Sequence, residues 1–111
     1  MNEFQGFTKV CKYSNLKEKI GQRFIVNEID IAVFKVDGKV YALSNMCLHQ
    51  KAFIIYDGFV DEGKVTCPAH GWQYDLETGI LAGGIKGLDV YEVKIQNDDV
   101  FIKVFDKKLN W

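Results

Sequence analysis

The chain has 111 residues, of which 48 % are apolar and 26 % charged, and a formal net charge of −1. That composition describes one ordinary globular domain with a modest core. Near-zero charge without any basic block argues against a nucleic-acid interface, and no apolar run reaches the roughly 18 residues that a membrane span requires.

The first ten residues, MNEFQGFTKV, hold no apolar targeting segment, so the cytoplasm is the expected location. Residues 4–13 have the apolar recurrence of a first strand. Cys11 near its end is expected to be a small buried hydrophobe. If the other two of the three cysteines, Cys47 and Cys67, are ligands, Cys11 is left alone and cannot form an intrachain disulfide, which fits a reducing compartment. Ser14 is placed to cap a single helical turn that Gly21 would stop. Residues 23–43 then carry the β-branched and aromatic content of three strands. Asn27-Glu28 marks the first reversal and Asp37-Gly38 a two-residue hairpin.

Those strands lead into a stretch with unusual chemistry. Cys47 and His49 are spaced C-x-H, and seventeen residues later Cys67 and His70 are spaced C-x-x-H. Both histidines of the chain, and two of its three cysteines, stand in these two pairs. Two short ligand pairs on two loops are how metal sites with thiolate and imidazole donors are built. Two thiolates and two imidazoles admit either tetrahedral zinc or an iron–sulfur cluster. A zinc finger puts its cysteines together and its histidines together; here each loop carries one of each. Mixed pairs suit a two-iron cluster, in which one iron takes both thiolates and the other both imidazoles.

Between the pairs, Phe53, Ile54 and Ile55 are expected in the core, and Asp57-Gly58 and Glu62-Gly63 as turns. Lys64 to Cys67 reads as a short strand, Gln73 to Leu76 as another, and Glu77-Thr78-Gly79 as a turn. Residues 80–88 are too glycine-rich for a helix and predict a loop with close backbone approach. Residues 90–96 and 99–105 form a last hairpin across Asn97-Asp98. The reading is a small all-β domain, 1–105, with a ligand-bearing lobe at about 45–88 and a tail at 106–111. Neither a phosphate loop nor a Ser/His/Asp set is available, and Asp61 and Glu62 read as solvated turn residues.

The second loop, Cys67-Pro68-Ala69-His70-Gly71-Trp72 followed by Tyr74-Asp75 and Thr78-Gly79, closely resembles soluble Rieske-type [2Fe–2S] ferredoxins. The flanking DGKVYALSNMC and the closing VYEVKI/DDVFIKV hairpin are similar too. The resemblance implies a small antiparallel β barrel or sandwich whose cluster lobe is formed by two loops. It implies one [2Fe–2S] cluster, with Cys47 and Cys67 on the inner iron and His49 and His70 on the outer one. Leu48, Ala69 and Trp72 would flank the cluster. Tyr74 matches a tyrosine that donates to a cysteine sulfur in high-potential respiratory Rieske proteins, where many soluble Rieske ferredoxins have phenylalanine; the alternative is an inward aromatic whose hydroxyl bonds water. Imidazole ligation lowers the negative charge on the cluster and raises its potential. Four filled ligand positions leave no iron open to substrate, which implies a one-electron carrier rather than a catalyst. Its expected partners are a flavoprotein reductase and a terminal oxygenase. A small electron-input subunit of another oxidoreductase such as nitrite reductase is the alternative, with a redox-sensing or zinc-binding module behind it. Only 41 residues follow His70, too few for an oxygenase catalytic domain. Residues 45–79 carry five carboxylates against two lysines, so a basic partner face is expected.

Overall fold

In a computed structural model, residues 6–47, 52–69, 71–84 and 87–104 are described. Nine strands run in chain order: β1 Thr8–Lys12, β2 Gln22–Val26, β3 Ile29–Val36, β4 Lys39–Ser44, β5 Phe59–Asp61, β6 Lys64–Thr66, β7 Gln73–Asp75, β8 Val90–Gln96 and β9 Asp99–Lys103. They form a six-stranded sheet in the order β1-β9-β8-β4-β3-β2 and a three-stranded sheet β5-β6-β7. Every strand pair is antiparallel. The edge strands β1 and β2 approach each other, so the larger sheet curls into a near-closed barrel. Among the described residues no helix is long and apolar enough to cross a membrane.

Four hairpin turns have the left-handed backbone that their residues favour. Asn27 and Glu28 have φ of 50° and 69°, Asp37 and Gly38 52° and 83°, Glu62 and Gly63 50° and 77°, Asn97 and Asp98 52° and 69°. Two consecutive residues at positive φ match the twist of the flanking strands, which is why short polar residues and glycine occupy them.

The molecule has two cores, and β3 with β4 is the partition between them. Ile31, Val33, Val40 and Ala42 face the barrel interior with Leu16, Val26, Tyr91, Val100 and Ile102. Ala32, Phe34 and Leu43, alternating with them, face Cys47, Ile55, Val65, Cys67, Tyr74, Leu76 and Leu88. Successive side chains of a strand point to opposite faces. Burial of both faces therefore explains the unbroken apolar run Ile31-Ala32-Val33-Phe34, all four fully buried.

Several expectations need correction. The first strand starts at Thr8, and the helical turn is a 3-10 turn over Tyr13–Asn15. Ser14 lies inside that turn and caps nothing; its N–H and Oγ donate to the Asp98 carboxylate at 3.0 and 2.7 Å. Gly21 ends no helix. A Cβ there would collide with the Tyr56 carbonyl and the Phe34 ring, so the glycine lets the barrel wall touch the lobe. Cys11 is half-buried against the barrel core rather than enclosed. Ile55 is buried and Ile54 partly so, but Phe53 is 47 % exposed. Asp57 belongs to a 3-10 turn, Ile55–Asp57, and the short strand β5 that follows was not expected. The tail at 106–111 lies outside the described residues.

Candidate metal centre

The first cysteine sits just past the end of β4. Asn45 is fully buried and uses every polar group it has. Its backbone N–H donates to the Asp30 carbonyl at 3.0 Å, and its carbonyl accepts from the Ile55 N–H at 3.1 Å. Its side-chain Nδ2 donates to Asp30 Oδ1 at 2.9 Å, and Oδ1 accepts from the Tyr56 N–H at 2.7 Å. Met46 then bridges Phe53, and the Cys47 N–H donates to the Ala52 carbonyl at 2.9 Å. Residues 45–47 and 52–56 thus run side by side. Leu48 and His49, between those two runs, lie outside the described residues.

The second cysteine follows β6, the middle strand of the small sheet. The Cys67 N–H donates to the Trp72 carbonyl at 2.7 Å, and the Gly71 N–H to the Cys67 carbonyl at 3.1 Å. His70, within that turn, also lies outside the described residues. β7 pairs with β6 on one side and with residues 80–82 on the other, through Asp75 N–H to the Ile80 carbonyl (2.9 Å) and Ala82 N–H to the Gln73 carbonyl (2.8 Å). The glycine-rich loop makes the close approach expected of it, with Ile80 bridging Gly87. The Asp75 carboxylate closes the turn by accepting from the Thr78 and Glu77 N–H groups at 3.0 and 2.8 Å. The Thr78 N–H, foremost among these contacts, holds that carboxyl below its usual range.

These two routes bring Cys47 and Cys67 into one apolar core, at 0 % and 1 % exposure, and neither forms a disulfide. Tyr74, fully buried on β7, reaches across so that its hydroxyl lies 3.6 Å from Cys47 Sγ. Trp72 is half-buried against the same core, while Ala69 is exposed. Gly71, Trp72, Gln73, Leu81 and Ala82 line a cavity of about 300 Å³ beside the loop. Among the described residues no three His, Cys, Asp or Glu side chains converge as a metal site. Buried sulfur donors in an apolar setting are chemically suited to a soft iron or zinc centre and not to a hard, oxygen-seeking cation.

Sequence reasoning passed over Asn45, Asp30 and Arg23. Arg23 grips Asp30 through Nε at 3.0 and 3.1 Å and through Nη2 at 2.6 Å. The available signal was one amide standing between an apolar strand and the first cysteine.

The Rieske [2Fe-2S] domain model matches residues 6–91. The ferredoxin component of the naphthalene 1,2-dioxygenase/salicylate 5-hydroxylase systems of Ralstonia sp. is 36 % identical over 81 residues, spanning 71 % of this chain and 77 % of that one. The 3-phenylpropionate/cinnamic acid dioxygenase ferredoxin subunit of Shigella flexneri is 32 % identical over 94 residues, 83 % of this chain and 88 % of its own. The fold is shared with the ferredoxin of carbazole 1,9a-dioxygenase from Nocardioides aromaticivorans, at a TM-score of 0.80 and 24 % identity over 87 % of this chain and 96 % of that one. By its two buried thiols, its β architecture and these matches, the chain belongs to the Rieske [2Fe–2S] domain family, as an electron-transfer component that carries one [2Fe–2S] cluster.

Proposed function

We propose that Cys47, His49, Cys67 and His70 are the four protein ligands of the cluster, the cysteines on the inner iron and the histidines on the outer one. The observation that carries this reading is the burial of Cys47 and Cys67 in one core beneath the Tyr74 hydroxyl. The residues present fit the cofactor: two thiols that form no disulfide are delivered by two separate loops. When bound, the cluster supplies uptake and release of one electron at a time.

The protein's own groups do the rest. The apolar core around the thiols, Phe34, Leu43, Ile55 and Leu76 among others, keeps water from the sulfurs. With Cys47 held as a thiolate ligand, the Tyr74 hydroxyl 3.6 Å away would be the donor, which favours the more negative, reduced state. In this reading Leu48, Ala69 and Trp72 would flank the cluster. The functional unit spans 1–105, with the lobe at about 45–88, and works in the cytoplasm.

The Ralstonia and Shigella proteins are ferredoxin components of dioxygenase systems, which supports a terminal oxygenase as the electron acceptor; the donor in this reading is a flavoprotein reductase. The exposed carboxylates Asp57, Asp61, Glu62 and Glu77 favour a basic partner face.

Iron and acid-labile sulfide assays with EPR of the reduced protein test the site. Two irons and two sulfides per chain are expected. A colourless protein holding zinc and no sulfide overturns the assignment. Reduction by a flavoprotein reductase and reoxidation by a terminal oxygenase, followed by stopped-flow absorbance, test the role. Isolation as a stable stoichiometric complex with some other large redox enzyme would refute the free-carrier reading.

A further inference from the structure

We infer that Arg23, Asp30 and Asn45 form a strut that positions the first cysteine loop, with Asn45 as the positioning residue. The inference rests on Cys47 being a cluster ligand and concerns what holds it in place. The strut begins at the surface. Arg23 on β2 is 44 % exposed and ion-paired at 2.6 Å with Asp30, whose side chain is only 10 % exposed. Asp30 opens β3, the strand shared by both cores. Its carboxylate and its carbonyl both accept from Asn45, which passes the restraint to Tyr56 and Ile55 on the returning side of the loop. The Arg23 guanidinium also stands 5.8 Å from the centre of the Phe53 ring, and Phe53 bridges Met46 next to Cys47. That contact accounts for a phenylalanine held at the surface of a cysteine loop.

The physical need is specific. Past Ser44 the chain leaves the sheet and enters the interior, where its peptide groups have lost their ladder partners, and a buried amide left unpaired is costly. The Asn45 side chain acts as an extra peptide group, donating on one side and accepting on the other. Alanine at this position would strand the Tyr56 N–H and leave the Asp30 carboxylate one donor short. Among the described residues the loop would then keep its backbone bonds from residue 45 to Asp30, from Cys47 to Ala52 and from Ile55 to residue 45, and lose its side-chain tie. Outer groups that hold ligands in orientation typically change metal affinity by about 10–100-fold when removed.

The test compares wild type, Asn45→Ala, Arg23→Gln and a control, Val100→Ala, which opens the barrel core on the far side of β3. Readouts are the rate of cluster bleaching by an iron chelator, the EPR signal of the reduced protein, the reduction potential and the thermal midpoint. Wild type must first show two irons, two sulfides and a rhombic signal; if it does not, the ligand reading fails and not the strut. Given that, Asn45→Ala should bleach about tenfold faster with a shifted EPR signal and potential. Arg23→Gln should move the same quantities in the same direction by less. Val100→Ala should lower the midpoint and leave signal and potential at wild-type values. A lowered midpoint in Asn45→Ala with unchanged signal, potential and bleaching rate would overturn the inference. If Asn45→Ala does not assemble, Arg23→Gln decides, since the Arg23 side chain lies at the surface, 44 % exposed; wild-type bleaching and potential there would also overturn it.

Discussion

Cys47 and Cys67 reach the same core by different means. Around Cys47 the chain is tied by a buried side chain, Asn45, backed by an ion pair on β2 and β3. Around Cys67 it is tied almost wholly by backbone, because β6 and β7 supply ladder partners and residues 80–82 extend the pairing. The difference follows from position. A loop that leaves a sheet must find substitutes for peptide partners, whereas a loop that is itself the turn of a small sheet already has them. Side-chain chemistry should therefore decide the first loop, and backbone geometry the second.

The largest effects should ignore this difference. Removing any of the proposed ligands, by Cys47→Ser, His49→Ala, Cys67→Ser or His70→Ala, should strip the cluster and loosen the lobe, because metal binding and folding are coupled. Iron content and far-UV circular dichroism report both. A variant that keeps the full iron and sulfide complement removes that residue from the ligand set.

The next effect tests the backbone support of the second loop. Gly79 has φ +78°, and a Cβ there would fall on the Leu88 carbonyl and the Val90 side chain. Gly79→Ala should cost about 2–5 kcal/mol, combining left-handed strain with overpacking. Gly83 has φ +75° but nothing within 4 Å of a Cβ, so Gly83→Ala should cost only about 1–2 kcal/mol. Urea midpoints measure both, and equal losses would show that close approach to Leu88 contributes nothing to support of the second loop.

Tyr74 joins the two halves of the comparison, since it is carried by the second loop's sheet and its hydroxyl meets the first loop's sulfur. A hydrogen bond of about 0.5–1.5 kcal/mol to the reduced state corresponds to roughly 20–60 mV for one electron, so Tyr74→Phe should lower the potential by that amount. The wild-type value should itself lie near the low end of the Rieske span, roughly −150 to +300 mV. The reason is that Trp72 has no hydroxyl to donate to a cluster sulfur, and the two loops share no disulfide. Protein-film voltammetry checks both; a value in the upper half of the span, or no change in the variant, contradicts the respective expectation.

The smallest effect belongs to the barrel. Burial, and then the Asp98 carboxylate, push the Cys11 thiol above its ordinary range, which favours its protonated, unreactive form. Cys11→Ala should leave absorption and EPR spectra unchanged and cost under about 1 kcal/mol at a half-buried site. Cluster loss in this variant would contradict its assignment to the barrel wall.

Local signals were legible because their cause is local. Asn27-Glu28, Asp37-Gly38, Glu62-Gly63 and Asn97-Asp98 adopt positive φ for reasons contained in the residues themselves, and they set the hairpins. The mixed C-x-H and C-x-x-H pairs disclosed the family for a similar reason, since short spacing dictates which donors one loop can present.

What only the tertiary structure decided depends on contacts between residues distant in sequence. The apolar run of β3 announces burial, but not that its two faces serve two cores. Phe53 reads as a core residue until Arg23, thirty positions earlier, is found beside its ring at the surface. Gly21 looks like a helix stop until Tyr56 and Phe34 are seen to fill the space a Cβ would need. Asn45 looks like a loop residue until Asp30 and Tyr56 close around it. In each case the sequence determined a residue's chemistry, and folding determined what that chemistry meets.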